Sequence, residues 1–119
     1  QMANRYQVLV IPGVFTPTEI LTAVEYGAKV VKVFPVGTLG PSYIKELKGP
    51  LSPIEMIPVG GVTTENAQQF LEAGSFALGM GSFLVNDQLI KNQAFSEIKQ
   101  RAKKLVDIVA SFRKGNEQE

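Results

Sequence analysis

The sequence contains no histidine and no cysteine among its 119 residues. Without histidine, Ser-His and Cys-His catalysis, histidine-based zinc sites and imidazole pH switches are all excluded. Without cysteine, disulfides, thiolate nucleophiles and iron–sulfur clusters are excluded, and a reducing, cytoplasmic location is what we expect. Any chemistry must therefore come from Lys, Arg, Asp, Glu, Tyr, Ser, Thr or backbone groups.

The chain also lacks an excess of charge and a long apolar run. Twelve basic residues against 11 acidic ones leave a net charge of +1, so composition gives no support for nucleic acid or an anionic membrane as a partner. No apolar stretch approaches the roughly 20 residues that span a bilayer. Hydrophobic residues make up 45% of the chain and charged residues 19%, which favours a globular protein with a buried core.

Length sets a further limit. A closed (β/α)₈ barrel typically needs about 250 residues, or roughly 31 for each βα unit. By that measure 119 residues hold about four such units and cannot close a barrel alone.

Four short apolar runs, which begin at nearly regular intervals, predict strands. They are rich in β-branched or bulky apolar residues and show little alternation, as strands buried on both faces do. The runs are Gln7–Ile11, Lys29–Phe34, Ile54–Val59 and Ser75–Met80.

Helix signals lie between and after these runs. Thr16-Pro17-Thr18-Glu19 is a capping box with proline at the first helical position, and Gly40-Pro41 opens a second helix. Thr63 or Thr64 is predicted to cap a third helix. The longest helix is predicted over residues 95–112, where apolar residues recur at spacings of three and four.

The resulting order is β-α-β-α-β-α-β-α, which predicts an α/β fold with parallel strands. We expect one domain over residues 1–119, with a frayed tail at about 114–119. Parallel α/β folds bind ligands at the carboxyl ends of their strands, so candidate site residues are sought there.

Lys32 is the most unusual residue by this criterion. It lies inside Val30-Val31-Lys32-Val33-Phe34, which is typical of a strand with no solvent face. A lysine is rarely buried without a partner, and desolvation would lower its pKa and leave a neutral amine able to attack a carbonyl. The alternative is that Lys32 reaches an edge or mouth and extends to water. The spacing of the residues supports these two interpretations equally.

Two glycine-rich turns follow the third and fourth predicted strands. Gly60-Gly61 leads into a helix whose free N–H groups suit an anion, and Gly79-Met80-Gly81-Ser82 is a second such turn. Either turn alone is most simply a tight connection. Two turns on successive strands match the phosphate site that barrels build beside a short extra helix, which Ser82–Ile90 could supply. Ser82 could cap that helix or bind a phosphate oxygen.

Two charged motifs are given structural interpretations. Thr16–Glu19 is interpreted as a helix cap, although it follows a strand. The charged residues of the last predicted helix are interpreted as its solvated face. They are Glu97, Lys99, Arg101, Lys103 and Lys104.

Four segments together resemble one known family. Lys29–Pro35, Pro58–Val62, Gly79–Val85 and Ile11–Glu19 are similar, in order and spacing, to the 2-keto-3-deoxy-6-phosphogluconate / 4-hydroxy-2-oxoglutarate aldolases. The resemblance runs from residue 7 to about residue 90. It implies the (β/α)4 C-terminal half of a TIM (β/α)8 barrel, strands five to eight, and a class I aldolase that is usually trimeric.

The resemblance also implies roles for individual residues. Lys32 becomes the Schiff-base lysine, which condenses with the ketone of a 2-oxo acid so that pyruvate and an aldehyde are released. Phe34 and Val59 would line the pocket; Val59 stands where gluconate-type members more often carry threonine and galactonate-type members can carry valine. Four residues match the segments that hold the substrate phosphate: Gly60, Gly61, Gly81 and Ser82. Neither a metal nor another cofactor is implied.

The family's catalytic glutamate and its carboxylate-binding residues belong to the first half of the barrel. Neither Glu19 nor Glu55 matches those motifs, so the chain alone is expected to lack the general base. A non-catalytic sugar-phosphate-binding or structural half-barrel is the alternative function. Because an isolated half-barrel exposes strand edges and an apolar sheet face, we expect a homo-oligomer or association with the N-terminal half.

Overall fold

The computed structural model describes residues 11–117, in which three strands form one parallel sheet. The strands, in both chain and sheet order, are Gly13–Val14 (β1), Val30–Val33 (β2) and Glu55–Pro58 (β3). Five helices lie within the same residues: Pro17–Glu25 (α1), Pro41–Lys48 (α2), Ala67–Glu72 (α3), Asp87–Lys91 (α4) and Phe95–Glu117 (α5). The predicted α/β class with parallel strands is confirmed.

β2 is the central strand of this sheet. Lys32 lies opposite Gly13 on one side and opposite Ile57 on the other. The backbone N–H of Lys32 donates to the Pro12 carbonyl at 2.8 Å. Because all three strands run in the same direction, their carboxyl ends meet at one edge of the sheet.

The two faces of the sheet differ in what covers them. Val31, Val33 and Met56 have no exposed surface, because the helices α1, α2 and α3 contribute Ile20, Ile44 and Phe70 to the same core. Lys32, on the opposite face of β2, is exposed. The prediction that this strand has no solvent face is therefore wrong for residues 11–117, since they supply helices to one face only.

α1 and α2 begin where the local sequence predicts. The Thr16 hydroxyl accepts from the Glu19 N–H at 3.2 Å, and the Glu19 carboxylate accepts from the Thr16 N–H at 3.1 Å. This is the capping box that the sequence predicts, and it confirms the structural interpretation of Thr16–Glu19. α2 follows Gly40, with Pro41 in its first turn.

α3 begins later than the sequence predicts. Its first residue is Ala67, and neither Thr63 nor Thr64 is its N-cap. The Thr63 hydroxyl instead accepts from the Glu65 N–H at 3.2 Å, while the Asn66 carboxamide accepts from the Thr63 N–H at 2.8 Å. These bonds stabilise a turn that precedes the helix.

The fourth predicted strand, Ser75–Met80, is not a regular strand. The N–H of Phe76 donates to the Met56 carbonyl at 2.8 Å, and that of Gly79 donates to the Pro58 carbonyl at 2.9 Å. A parallel ladder advances by two residues between such bonds, whereas this segment advances by three, so its register with β3 breaks. The segment still lies beside β3.

The predictions for the two ends of the chain fall on different parts of the structure. The first predicted strand, Gln7–Ile11, lies outside the described residues except for Ile11. At the other end, α5 packs against α3 and α4 and continues through Glu117. The part of the predicted frayed tail up to residue 117 is therefore helical. Within residues 11–117, no helix is both long and apolar enough to cross a membrane.

Candidate functional site

The loops that follow β2 and β3 are in direct contact. The N–H of Gly37 donates to the Gly60 carbonyl at 2.8 Å, and that of Val36 donates to the same oxygen at 3.0 Å. A Cβ atom on Gly61, whose φ is +126°, would lie 2.3 Å from the Cα of Gly37. Only glycine allows this approach, which joins two strand ends into one rigid edge.

Phe34 extends the same contact towards Lys32. Its ring lies against the backbone of Gly60, because a Cβ on Gly60 would be 2.7 Å from the Phe34 Cδ2 and Cε2 atoms. Phe34 is 55% exposed and directly follows β2, two residues after Lys32, so the two-residue alternation of an extended chain places it on the same side of the sheet as Lys32. The uncovered sheet face therefore meets the glycine loop at this ring.

The segment after the irregular fourth run reaches the same edge. Gly79 lies so close to the end of β3 that a Cβ on it would be 2.4 Å from the Val59 Cγ2 atom. Val59 itself is half-buried. This approach carries Gly81 and Ser82 alongside the loop that holds Gly60.

A cleft of about 270 Å³, here called the glycine cleft, opens between these two turns. It brings together the four residues for which the family resemblance implies a phosphate-binding role, namely Gly60, Gly61, Gly81 and Ser82. Among residues 11–117 no acceptor pairs with the backbone N–H groups of these four residues. Unpaired N–H groups beside glycines are what an oxyanion site requires.

The side of the glycine cleft next to α4 differs from the sequence prediction. α4 is the expected short helix, but it starts at Asp87 and its cap is Asn86, not Ser82. The Asn86 carboxamide accepts from the Leu89 N–H at 2.9 Å and donates to the Ser82 carbonyl at 2.8 Å. Asn86 thereby fixes Ser82, whose hydroxyl is not used as a cap.

Arg101 of α5 lines the glycine cleft and was missed by the sequence analysis. Its Nη1 donates to the Phe83 carbonyl at 2.6 Å, and its Nη2 lies 2.7 Å from a Glu97 carboxylate oxygen. A sequence signal exists, because Arg101 follows Ile98 by three residues and precedes Leu105 by four, so it is in phase with the apolar face. Its interpretation as part of the solvated face is therefore wrong.

Lys32, Phe34 and Val59 are not among the residues that line the glycine cleft. Lys32 lies next to the carboxyl end of β2, on the exposed face, and the ring of Phe34, two residues later, contacts Gly60. Residues 11–117 thus give two adjacent parts: Lys32 on a sheet face that these residues leave open, and the glycine cleft beyond the Phe34–Gly60 contact. Of the two interpretations of Lys32, a buried lysine and one that extends to water, residues 11–117 agree with the second, because the side chain is exposed among them.

Two perturbed groups lie near the end of β1 and have structural roles. Hydrogen bonds from the Thr16 backbone and hydroxyl hold the pKa of the Glu19 carboxyl below its ordinary value. Burial, and then the charges of Glu19 and Glu46, raise the pKa of Tyr43. The Tyr43 hydroxyl donates to the Phe15 carbonyl, which fixes α2 against the end of β1.

An apolar groove of about 440 Å³ lies between residues 77–84 and α5. Leu78, Met80 and Val109 are among its lining residues, and Val106 beside them is 66% exposed. The apolar face of α5 is thus only partly covered by residues 11–117. In that same range, no three His, Cys, Asp or Glu side chains gather as a metal site would require.

Comparison with known proteins gives a consistent set of matches. The family model described as "Aldolase: KDPG and KHG aldolase" matches residues 1–101. The 2-dehydro-3-deoxy-6-phosphogalactonate aldolase of Escherichia coli (strain K12) is 49% identical over 80 residues, which are 66% of this chain and 39% of the relative.

Solved structures of similar fold agree. A structure solved as native KDPGal superposes with a TM-score of 0.82 and 39% identity, over 94% of this chain and 53% of the other. A cube-shaped cage designed by fusing symmetric oligomeric domains superposes with a TM-score of 0.84 and 40% identity, over 98% of this chain and 42% of the other. The chain spans about half, or less, of the length of the curated relatives it matches.

Proposed function

Because the chain belongs to the family of KDPG and KHG aldolases, we propose that it supplies the Schiff-base lysine and the phosphate cleft of a class I aldolase. Its relatives are named aldolases, which are lyases. The family that the residues from 7 to about 90 resemble is therefore confirmed, and the roles of single residues are the proposal.

The observation that carries the proposal is the arrangement at one sheet edge. Lys32 is next to the carboxyl end of β2, and the glycine cleft lies beyond the Phe34–Gly60 contact at the end of β3. A sugar-acid phosphate has a ketone at one end and a phosphate at the other. Separate sites for an amine and an anion, on the ligand-binding edge of a parallel sheet, suit such a substrate.

The proposed reaction uses the Lys32 amine as nucleophile. It attacks the C2 ketone of the 2-oxo acid, and loss of water gives a protonated imine. The electron pair of the C3–C4 bond then moves into the C2–C3 bond, which neutralises the imine nitrogen and leaves an enamine of pyruvate. The C4 hydroxyl loses its proton and C4 departs as an aldehyde, glyceraldehyde 3-phosphate or glyoxylate according to the substrate. Protonation of C3 and hydrolysis release pyruvate.

The one-sided sheet supports a half-barrel, corresponding to strands five to eight of a (β/α)₈ barrel. Barrel strands carry helices outside and meet one another's side chains inside. Here α1, α2 and α3 cover one face of the sheet, whereas Lys32 and Phe34 lie on a face that residues 11–117 leave open. That face corresponds to a barrel interior.

A first half, in the same protein or in a partner chain, would complete this site. It would bury Lys32, which favours the neutral amine, and would contribute the glutamate that takes the C4 hydroxyl proton. One structural relative is a cage made from symmetric oligomeric domains, which supports association between copies as well. The family resemblance implies a trimer.

Among phosphorylated substrates, the galactonate epimer is the one that we propose. Val59 agrees with galactonate-type members, and the relative at 49% identity is a 6-phosphogalactonate aldolase. Comparison of kcat/KM for the two epimeric 2-keto-3-deoxy-6-phospho sugar acids tests this choice. Equal or better turnover of the gluconate epimer would contradict it.

Binding without catalysis is the second candidate function. The exposure of Lys32 favours it, because residues 11–117 do not enclose this amine in a pocket where it would meet a substrate ketone away from water. A binding module would retain the glycine cleft and hold a sugar phosphate without turnover.

Borohydride trapping distinguishes the two functions. The chain is incubated with pyruvate and borohydride, alone and mixed with a separately expressed first half of the Escherichia coli relative. A reduced pyruvate adduct on Lys32 in either sample supports the aldolase. Its absence from both samples, together with retained phosphate binding, supports the binding module.

A further inference from the structure

Arg101 differs from the other basic residues of α5 in its surroundings. Lys99, Lys103 and Lys104 are exposed, whereas the Arg101 side chain is only 28% exposed and lines the glycine cleft. A partly desolvated guanidinium next to unpaired backbone N–H groups gives this cleft hydrogen-bond donors of two kinds for an anion.

The guanidinium is held before any ligand arrives. Its carbon lies 4.6 Å from the centre of the Phe83 ring, and Nη1 donates to the Phe83 carbonyl at 2.6 Å. Both contacts come from the residue that follows Ser82, so Arg101 is tied to the turn that forms one wall of the cleft. Because the side chain is already ordered, a ligand pays little of the usual entropy for fixing an arginine.

Glu97 forms an ion pair with one nitrogen of this guanidinium. The Nη2–Oε1 distance is 2.7 Å, but the Glu97 side chain is 49% exposed, so the pair is weak. Arginine has five N–H donors, and the described contacts use two of them. Donors therefore remain for an oxyanion, with Glu97 as a competitor for the same charge.

We propose that Arg101 is a phosphate-binding residue of the glycine cleft, where it pairs with the distal phosphate of the substrate. A phosphate dianion has enough oxygens and charge to accept from both the guanidinium fork and several backbone N–H groups. A singly charged carboxylate has fewer acceptors for the same donors. The inference rests on the proposed aldolase function for the identity of the substrate.

Isothermal titration calorimetry of the chain with inorganic phosphate tests the proposal directly. Arg101→Gln is expected to weaken phosphate binding by about tenfold, the ratio that one charge-assisted hydrogen bond supplies. Arg101→Lys keeps the charge but loses the fork, and its affinity should lie between those of wild type and Arg101→Gln. Glu97→Gln should bind phosphate more tightly than wild type, because the competing carboxylate is gone.

Arg113→Gln is the matched control. Arg113 lies on the same helix and also donates to a backbone carbonyl, that of Phe76 at 3.2 Å, but it lines the apolar groove. Its phosphate affinity should equal that of wild type. If Arg101→Gln does not fold, as judged by circular dichroism, the Arg101→Lys and Glu97→Gln variants decide.

The inference is overturned if wild type binds no phosphate, if Arg101→Gln binds within twofold of wild type, or if Glu97→Gln weakens binding. Failure of the aldolase proposal looks different, because pyruvate trapping at Lys32 needs no phosphate. Loss of trapping with the same phosphate affinities would remove the catalytic role and leave Arg101 as an anion ligand.

Discussion

A Cβ atom at residue 61 should separate the two loops that form the ligand edge. In Gly61→Ala, the new methyl group would lie 2.3 Å from the Cα and 2.6 Å from the N of Gly37, both backbone atoms that cannot rotate away. The φ of +126° adds backbone strain for any residue with a Cβ. Overpacking costs about 1–3 kcal/mol and the strained φ about 1–3 kcal/mol more, so we expect a loss of about 2–6 kcal/mol.

The same substitution at Gly81 is the control. Gly81 also lines the glycine cleft, but a Cβ there meets no atom within 4 Å. Gly81→Ala should change the free energy of unfolding by no more than about 1 kcal/mol. Urea denaturation monitored by far-UV circular dichroism measures the free energy of unfolding of both variants, since the chain has no tryptophan for fluorescence. Equal stability of the two variants would refute the close approach of residues 37 and 61.

Three further predictions concern α1 and the core. Thr16→Ala removes the hydroxyl of the capping box and should cost about 1 kcal/mol in denaturant unfolding, with Thr16→Ser close to wild type. Because the pKa of the Glu19 carboxyl is lowered in the folded state, its contribution to stability is present above pH 4.5 and is lost as the pH falls below that value. Glu19→Gln should lack this part of the pH dependence of the free energy of unfolding. The same acid dependence in Glu19→Gln and wild type would contradict the lowered pKa. Phe70→Ala empties a fully buried site and should cost about 3–5 kcal/mol, whereas a cost below about 1 kcal/mol would show that Phe70 is not a core residue.

Elements set by adjacent residues were predictable from the sequence. The start of α1 depends on hydrogen bonds between Thr16 and Glu19, and the start of α2 depends on Gly40 and Pro41. The glycine turns were found because Gly60 and Gly61 are adjacent in the sequence and both adopt a positive φ, which favours glycine. Their convergence in one cleft agrees with the rule that ligands bind at the carboxyl ends of parallel strands.

Features that depend on distant residues were not predictable in the same way. Ser75–Met80 has the composition of a strand, but its register with β3 is broken where Gly79 meets Val59. The exposure of Lys32 follows from which face the helices cover, and no periodicity in β2 contains that information. Arg101 was predicted to be solvated because it is charged and lies among other charged residues. Its three- and four-residue spacing from apolar residues of α5 instead places it beside the apolar face of the helix.

The central claim is that Lys32 is the residue that forms a Schiff base, and peptide mapping after pyruvate and borohydride treatment tests it most directly. Trypsin cuts after both Lys29 and Lys32, and a reduced adduct blocks cleavage only at the modified residue. In the presence of the first half of the barrel, we predict one pyruvate adduct in a fragment that reads through residue 32, and none in Lys32→Arg. An adduct on Lys29, an adduct that persists in Lys32→Arg, or no adduct at all would contradict the claim.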